Sequence, residues 1–157
     1  MRTKKYYPAT LLIAAVFAAV YFFKTDDSNN KIVCQSRHTL LHDGFRLDSN
    51  FGFTLANDKG EITVHAIAAE NGIQSQVGRV INFTYVKNND VYILKNKYVE
   101  YLSTDNSKDS NVDFHLPAFF YEAGKEIALK IEYDKYHNPV IYLHNMPMFY
   151  CKKYDHV

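Results

Sequence analysis

The sequence predicts a mainly β protein, with one transmembrane helix near its start followed by an antiparallel β-meander of about seven or eight strands, folded as a barrel or as a sandwich. Three observations support this fold class. Residues 6–23 are apolar and uncharged. After residue 31, short runs alternate apolar and polar side chains, with turn residues about every ten positions. Hydrophobic residues make up 47% of the chain and aromatic residues 15%, which is enough for a packed core.

The predicted membrane anchor is residues 6–23, YYPATLLIAAVFAAVYFF. A helix of this length spans about 27 Å, close to the hydrocarbon core of a bilayer. Residues 1–5 form a short cytoplasmic tail, residues 24–31 a polar linker, and residues 32–157 the β domain. The side chains that most favour insertion into the bilayer are Leu11, Leu12, Ile13, Val16, Phe17, Val20, Phe22 and Phe23.

The orientation of the anchor follows from its flanking charges. Arg2, Lys4 and Lys5 precede it, whereas Asp26 and Asp27 follow Lys24, so the N-terminus is expected in the cytoplasm and the β domain outside it. A cleaved signal peptide has the same basic start, but it requires small residues at the end of a shorter apolar run. The apolar run continues to residue 23, so we expect an uncleaved single-pass anchor and contact with the bilayer.

The first half of the β domain contains regular strand patterns. We expect a first strand over Ile32–Leu41, with Cys34, Ser36, His38 and Leu40 on one face, and then a hairpin whose turn is Asn57–Gly60. Residues 77–86 alternate cleanly and place Arg79, Ile81, Phe83 and Tyr85 on one face.

The second half is less regular. Residues 95–102 (KNKYVEYL) fit either a strand or a short helix, and residues 103–111 (STDNSKDSN) form a polar loop. An aromatic stretch with Pro117 follows, and residues 122–125 suggest one turn of helix. Ile127, Leu129, Ile131 and Tyr133 give the cleanest alternation in the chain, and two further short strands are expected before Cys151.

The charge of the exported part argues against one class of function, and the cysteine content predicts a disulfide. Fifteen of the 18 basic residues and all 17 acidic residues follow Lys5, so the exported part carries a charge of about −2 and offers no field for direct nucleic-acid binding. The two cysteines, Cys34 and Cys151, stand near the two ends of the β domain. In an oxidising compartment they are expected to form a disulfide; two unrelated buried thiols are the alternative.

No motif indicates catalysis: the chain lacks a Gly-x-Ser-x-Gly sequence, a phosphate loop and a His-Glu-x-x-His sequence, so we expect a protein that is not an enzyme and needs no cofactor. His38 and His42 lie four residues apart, but in a strand this spacing is about 13 Å, so no metal site is expected.

The seven histidines allow a response to acidification. The thirteen tyrosines and eleven phenylalanines are expected in the core, with an aromatic-lined ligand cavity as the alternative.

The order of these features resembles the FidL-like putative membrane proteins of enterobacteria. The resemblance rests on the anchor, the early cysteine, Asp105, Gly124 and six short motifs. The motifs are at residues 60–62 (GEI), 79–85 (RVINFTY), 92–94 (YIL), 116–120 (LPAFF), 142–143 (YL) and 146–151 (MPMFYC). It covers most of the chain and supplies no catalytic residues. Arg79 would then be a structural or interface group.

The resemblance implies a partner. FidL-like proteins are similar to ToxS-like companions of ToxR-type regulators, which span the inner membrane and carry a winged-helix domain in the cytoplasm. The implied function is that of a single-pass inner-membrane accessory protein whose periplasmic β domain binds and modulates such a regulator. The alternatives are a tethered, lipocalin-like carrier or sensor of a small amphiphile, and a structural subunit of an envelope assembly.

Overall fold

The computed structural model describes residues 31–153, and strands account for most of this range. The chain divides into two units, residues 1–31 and 32–157, and the strands described here belong to the second. The strands are β1 (Ile32–His42), β2 (Phe45–Ala56), β3 (Lys59–Glu70), β4 (Ile73–Asn88), β5 (Val91–Tyr101), β6 (Glu126–Tyr133), β7 (Pro139–Leu143), β8 (Met146–Tyr150) and the two-residue β9 (Lys152–Lys153).

The strands form one antiparallel sheet that curls into a nearly closed barrel. From β1 to β8 each strand pairs with the next one in the chain, and β9 returns to pair with β1 through Lys152 opposite Gln35 and Lys153 opposite Cys34. The prediction of an antiparallel meander with seven or eight main strands is confirmed. Of the two arrangements that the sequence left open, the barrel is the one observed.

The barrel has two ends that differ in character. At the end where β1 begins, here called the Ile32 end, short turns join β2 to β3, β4 to β5 and β6 to β7. At the opposite end, here called the distal end, lie the turns Asp43–Gly44 and Asn71–Gly72 and the long connection of residues 102–125. Because β6, β7 and β8 are short, this connection covers the distal half of the barrel beside β5.

Alternation along the strands determines what is buried. The inward faces of β2 and β3 alternate with exposed or half-buried positions, as expected for strands with one face in a core. In β4 this alternation holds from Arg79 to Tyr85, after the consecutive buried residues Val77 and Gly78. Phenylalanines from several elements fill the centre, with Phe53 near Phe83, Phe83 near Phe119, and Phe51 near both Phe120 and Phe149. The interior is therefore packed with side chains, and the four residues predicted to share one face of β4 (Arg79, Ile81, Phe83 and Tyr85) are all buried.

The hairpin between β2 and β3 differs from the prediction in one detail. Asn57 and Asp58 both have positive φ, 51° and 59°, so they alone form the tight turn. Gly60 lies in β3, not in the turn. A Cβ there would overlap the ring of Phe83 and approach Thr54 O to 2.6 Å, so Gly60 allows this ring to pack directly on the backbone.

The region that the sequence left ambiguous, residues 95–102, is the end of β5 up to Tyr101, and Leu102 follows the strand. Asn82 lies opposite Tyr98, but the next residue, Phe83, lies opposite Asn96, so Lys97 is an extra residue in a β-bulge. A bulge interrupts the alternation, which explains the irregular pattern. The helical turn expected over residues 122–125 is wrong, because this segment forms turns; the short 3-10 helices are instead Ser107–Asp109, Asn111–His115 and Ala118–Phe120.

The predicted membrane anchor and most of its linker lie outside the described residues. Between residues 31 and 153, no helix has the length and apolar character needed to cross a bilayer.

Candidate functional site

The bulge at Lys97 determines which side chain of β5 meets Arg79. Beyond the bulge, half-buried Val99 lies opposite Ile81 of β4, and Tyr101, which is 49% exposed, lies opposite Arg79. The Tyr101 ring lies over the Arg79 guanidinium, with the Arg79 Cζ atom 5.0 Å from the ring centroid. This contact is a cation–π interaction, which stabilises a guanidinium that has left water.

Arg79 is 1% exposed and is the largest fully buried side chain among the described residues. Its Nη1 donates to Asp113 Oδ1 at 2.6 Å, its Nη2 to Ser107 Oγ at 2.8 Å, and its Nε to Asp105 Oδ2 at 3.3 Å. Each nitrogen of the buried guanidinium therefore makes a charge-assisted hydrogen bond. We call these four residues, with Tyr101, the Arg79 network.

Asp105 connects this network to the backbone. Its carboxylate accepts hydrogen bonds from Gly78 N at 3.0 Å, Ser107 N at 2.9 Å and Ser107 Oγ at 2.6 Å. Burial alone would raise the pKa of Asp105, but these hydrogen bonds and the charge of Arg79 outweigh burial and lower the pKa below its ordinary value. Asp105 is therefore a permanent anion at neutral pH, and it binds the loop to the start of β4.

Gly78 allows the loop to lie this close to β4. A Cβ on Gly78 would come within 2.9 Å of Thr104 Oγ1 and 3.3 Å of Leu102 Cβ. The backbone also joins the two segments, since Leu102 N donates to Gly78 O at 2.8 Å and Asn106 N donates to Gln76 O at 3.0 Å. The polar loop predicted over residues 103–111 is thus held firmly against the barrel.

The distal end carries a row of side chains across four strands. His42 lies opposite Phe45, Phe45 opposite Glu70, and Glu70 opposite Ile73. The ring of His115, from the connection, lies on this row: it stacks on Phe45 with centroids 3.9 Å apart and an interplanar angle of 10°. We call these five residues the distal rim.

Polar contacts hold His115 in the distal rim. His115 Nε2 is 3.5 Å from Glu70 Oε1, and Asn111 Nδ2 donates to Glu70 Oε2 at 3.1 Å. The His42 ring lies 5.9 Å from the His115 ring, and His42 Nε2 is 3.5 Å from Asp43 Oδ2. Glu70 therefore joins the connection to β3 as Asp105 joins it to β4.

Next to the distal rim is an open cavity of about 370 Å³, here called the rim cavity. Its floor is apolar, and its walls are amides, hydroxyls and two carboxylates from the β3–β4 turn and the connection. The lining residues are Phe45, Ala68, Glu70, Asn71, Ile73, Gln74, Ser75, Asn106, Asp109, Ser110, Asn111 and Val112. This volume lies within the range of small-ligand sites.

Large apolar side chains are exposed around the distal rim. Phe114, Ile73 and Leu41 are 86%, 71% and 69% exposed. They belong to one neighbourhood, because Phe114 precedes His115, Leu41 precedes His42, and Ile73 is the partner of Glu70 in the β3–β4 pair. Single exposed apolar residues are ordinary, but three next to residues of the distal rim, one of which (Ile73) also lines the rim cavity, are typical of an interaction surface.

The predicted pair His38 and His42 lies on one strand but in two separate environments. Ser49 Oγ donates to His38 O at 3.0 Å and lies 3.2 Å from His38 Nδ1. Ser49 is buried, and these two contacts hold it against His38 of β1. Burial lowers the pKa of His38. Within the described range, no three His, Cys, Asp or Glu residues are grouped to hold a metal ion.

Cys34 and Cys151 form a disulfide, with their Cα atoms 5.3 Å apart. Both are buried, and the bond joins β1 to the residue between β8 and β9. It therefore closes the barrel where β9 pairs with β1. Further along β1, the His38 ring contacts Phe149 of β8, with centroids 5.2 Å apart.

Sequence reasoning identified Arg79 but missed its partners. Asp105, Ser107 and Asp113 lie in segments without periodicity, and Glu70 and His115 are 45 positions apart in the sequence. One signal was available: an arginine on an otherwise apolar strand face requires carboxylates, and the polar loop of residues 103–111 supplies them. The aromatic stretch that follows the loop supplies His115.

Comparison with known proteins gives one family. The sequence model of the family described as YqeJ C-terminal domain matches residues 18–151, which includes all of β1 to β8. No curated protein gives a significant match. No solved structure does so either. The family description contains no reference to FidL-like or ToxS-like proteins.

Proposed function

The chain belongs to the YqeJ C-terminal domain family, and we propose that it is a single-pass inner-membrane accessory protein whose periplasmic β domain binds and modulates a ToxR-type transmembrane transcription regulator. The family description names no partner. The proposal therefore draws on the apolar, uncharged residues 6–23, on the resemblance to FidL-like proteins, and on the surface of the distal end.

The observation that carries the proposal is the exposure of Phe114. This side chain is 86% exposed, although the segment that bears it is fixed on both sides: Asp113 accepts from buried Arg79, and His115 stacks on Phe45. A rigid segment that presents a phenylalanine to water is costly unless something covers it. We expect the regulator's periplasmic domain to cover it, together with Ile73 and Leu41.

The carrier function receives less support from the packing. An amphiphile inside the barrel would need the space that the phenylalanines of β2, β4, β8 and the connection occupy. A small molecule could share the rim cavity with a partner, but the centre of the barrel is filled.

In vivo photo-crosslinking tests the proposal. The full chain, with p-benzoylphenylalanine replacing Phe114, is produced in cells that carry the natural genomic background, and the cross-linked partner is identified by mass spectrometry. The matched control places the same probe at Tyr136, which is 70% exposed at the Ile32 end.

We expect Phe114, and not Tyr136, to cross-link to a single-pass protein with a cytoplasmic winged-helix domain. Cross-linking only to unrelated envelope proteins, or equal cross-linking from both positions, would contradict the proposal. A fractionation of the same cells must place the chain in the inner membrane.

A further inference from the structure

The rim cavity combines an apolar floor with an acidic wall. Phe45, Ala68 and Val112 are buried beneath it, and Ile73 stands exposed at its edge. The charged residues in its lining are Glu70 and Asp109, so both are acidic. A cavity of this composition favours a ligand with an apolar stem and a cationic head.

The Glu70 carboxylate is held in place before any ligand binds, whereas Asp109 is exposed and is positioned through the backbone of its 3-10 helix. Glu70 is fixed by Asn111 at 3.1 Å and by His115 at 3.5 Å. Asp109 ends the 3-10 helix that begins at Ser107, whose hydroxyl accepts from the buried Arg79. A preorganised acidic site loses little conformational entropy on binding, and this favours a charged partner that would otherwise remain in water.

A guanidinium is the cation that fits these features best. It is planar, presents several N–H donors to carboxylates and to the amide and hydroxyl oxygens of the wall, and is more weakly hydrated than an ammonium group. Its three-carbon stem can lie on an apolar floor. The exposed Phe114 and Ile73 are suited to apolar residues beside the arginine, since arginine and aromatic residues commonly form the centres of interfaces.

We propose that the rim cavity is the receptor for an arginine side chain, carried on a segment of the partner protein and flanked by apolar residues. This inference rests on the proposed function, because it specifies the chemistry of the surface that the partner presents to the distal end. The structure assigns Glu70 and Asp109 as the two carboxylates that the guanidinium contacts.

Peptide titration tests the inference without the regulator. The probe is acetyl-Phe-Arg-Phe-amide, added to the ¹⁵N-labelled full chain in detergent micelles and followed by amide chemical shifts. The matched peptide replaces arginine with citrulline, which keeps the shape and removes the charge. A third peptide contains lysine in place of arginine.

We expect the arginine peptide to shift the resonances of Asn71, Asn106 and Asn111, and to bind more tightly than the lysine and citrulline peptides. Glu70→Gln and Asp109→Asn should each weaken arginine binding by about tenfold or more, since each removes a charge-assisted contact. The control Glu126→Gln alters an acid that pairs with Lys95 on β5 and should leave binding unchanged. Thermal unfolding verifies that every variant is folded.

Equal binding of the arginine and citrulline peptides would overturn the inference, and so would equal binding of the lysine peptide, unchanged affinity in both acid variants, or shifts confined to another surface. The two proposals fail separately. If Phe114 cross-links to the regulator while the peptides do not bind, the distal end is the interface but the arginine receptor is wrong. If the peptide binds and no regulator is cross-linked, the rim cavity does bind arginine, but the arginine is carried by a protein other than the regulator.

Discussion

Replacing Arg79 with methionine removes the cation that pairs with Asp105 and Asp113 at the distal end. Methionine keeps much of the volume and the apolar stem, so the loss is chiefly that of the guanidinium. Asp105, whose side chain is 3% exposed, then remains buried without its ion pair. Breaking a buried ion pair by removing one partner typically costs about 3–5 kcal/mol.

The contacts of Asp105 place the expected loss within that range. It retains three hydrogen bonds, from Gly78 N and from the amide and hydroxyl of Ser107, so its penalty lies near the lower limit. Ser107 Oγ loses a donor, and the face of Tyr101 loses its cation. Asp113 is 41% exposed and adds little, because water replaces its partner. We therefore expect Arg79→Met to lower the free energy of unfolding by about 3–4 kcal/mol.

The chain has no tryptophan whose fluorescence could report unfolding. The loss in the free energy of unfolding is therefore measured by urea denaturation followed by far-ultraviolet circular dichroism. The matched control, Asp113→Asn, alters the exposed end of the same network and should cost at most about 1 kcal/mol. In Arg79→Met, hydrogen exchange should accelerate at the amides of Asn106 and Ser107, because the loop loses its buried attachment.

The double variant Arg79→Met/Asp105→Asn distinguishes electrostatics from packing. If the unpaired carboxylate causes the loss, neutralising it should recover part of the stability. A loss below about 1 kcal/mol in Arg79→Met, or a double variant whose effects simply add, would refute the reasoning, because the buried charge would then not depend on its partner.

Two further predictions concern the closure of the barrel and its response to pH. Replacing Cys34 and Cys151 together with alanine should lower the free energy of unfolding by about 2–4 kcal/mol in urea titrations while the β spectrum remains; an unchanged value would mean that strand pairing alone closes the barrel. Because burial lowers the pKa of His38, the unfolded chain takes up protons before the folded one as the pH falls below about 6.5. Stability should therefore decline as the pH falls through this value, until it reaches the pKa of the folded state. His38→Phe, which keeps a ring between Phe51 and Phe149, should flatten this decline, whereas the exposed control His65→Phe should not; a slope that survives in His38→Phe would assign the effect to other groups.

The strands could be predicted because their pattern is local. Alternation over residues 77–86 places Arg79 and Ile81 on the same face whatever the neighbouring strand is. The disulfide was predicted from compartment and cysteine count, and the positions of the two cysteines indicated that it joins the first and last segments of the domain. The order of the strands and the closure of the barrel could not be predicted. The anchor, the partner and the enzyme-free function remain predictions.

The rest of the site could not be predicted because it depends on contacts between distant residues. The bulge at Lys97 shifts the phase of β5 by one residue, and a pattern that assumes regular alternation cannot locate such a shift. The stacking of His115 on Phe45 joins residues 70 positions apart through a connection without periodicity. Such contacts are set by how the connection crosses the open half of the barrel.

The pairing of Lys153 with Cys34 brings the start and the finish of the β domain side by side. The order of strands around the barrel therefore does not require the domain to begin at β1. A short glycine-rich bridge from residue 153 to residue 32, with new termini opened at the Asn89 turn, should yield a circularly permuted domain with the same hydrophobic centre. In such a rearranged polypeptide the surface around Phe114 would stay untouched, so its recognition properties can be studied apart from the attachment point.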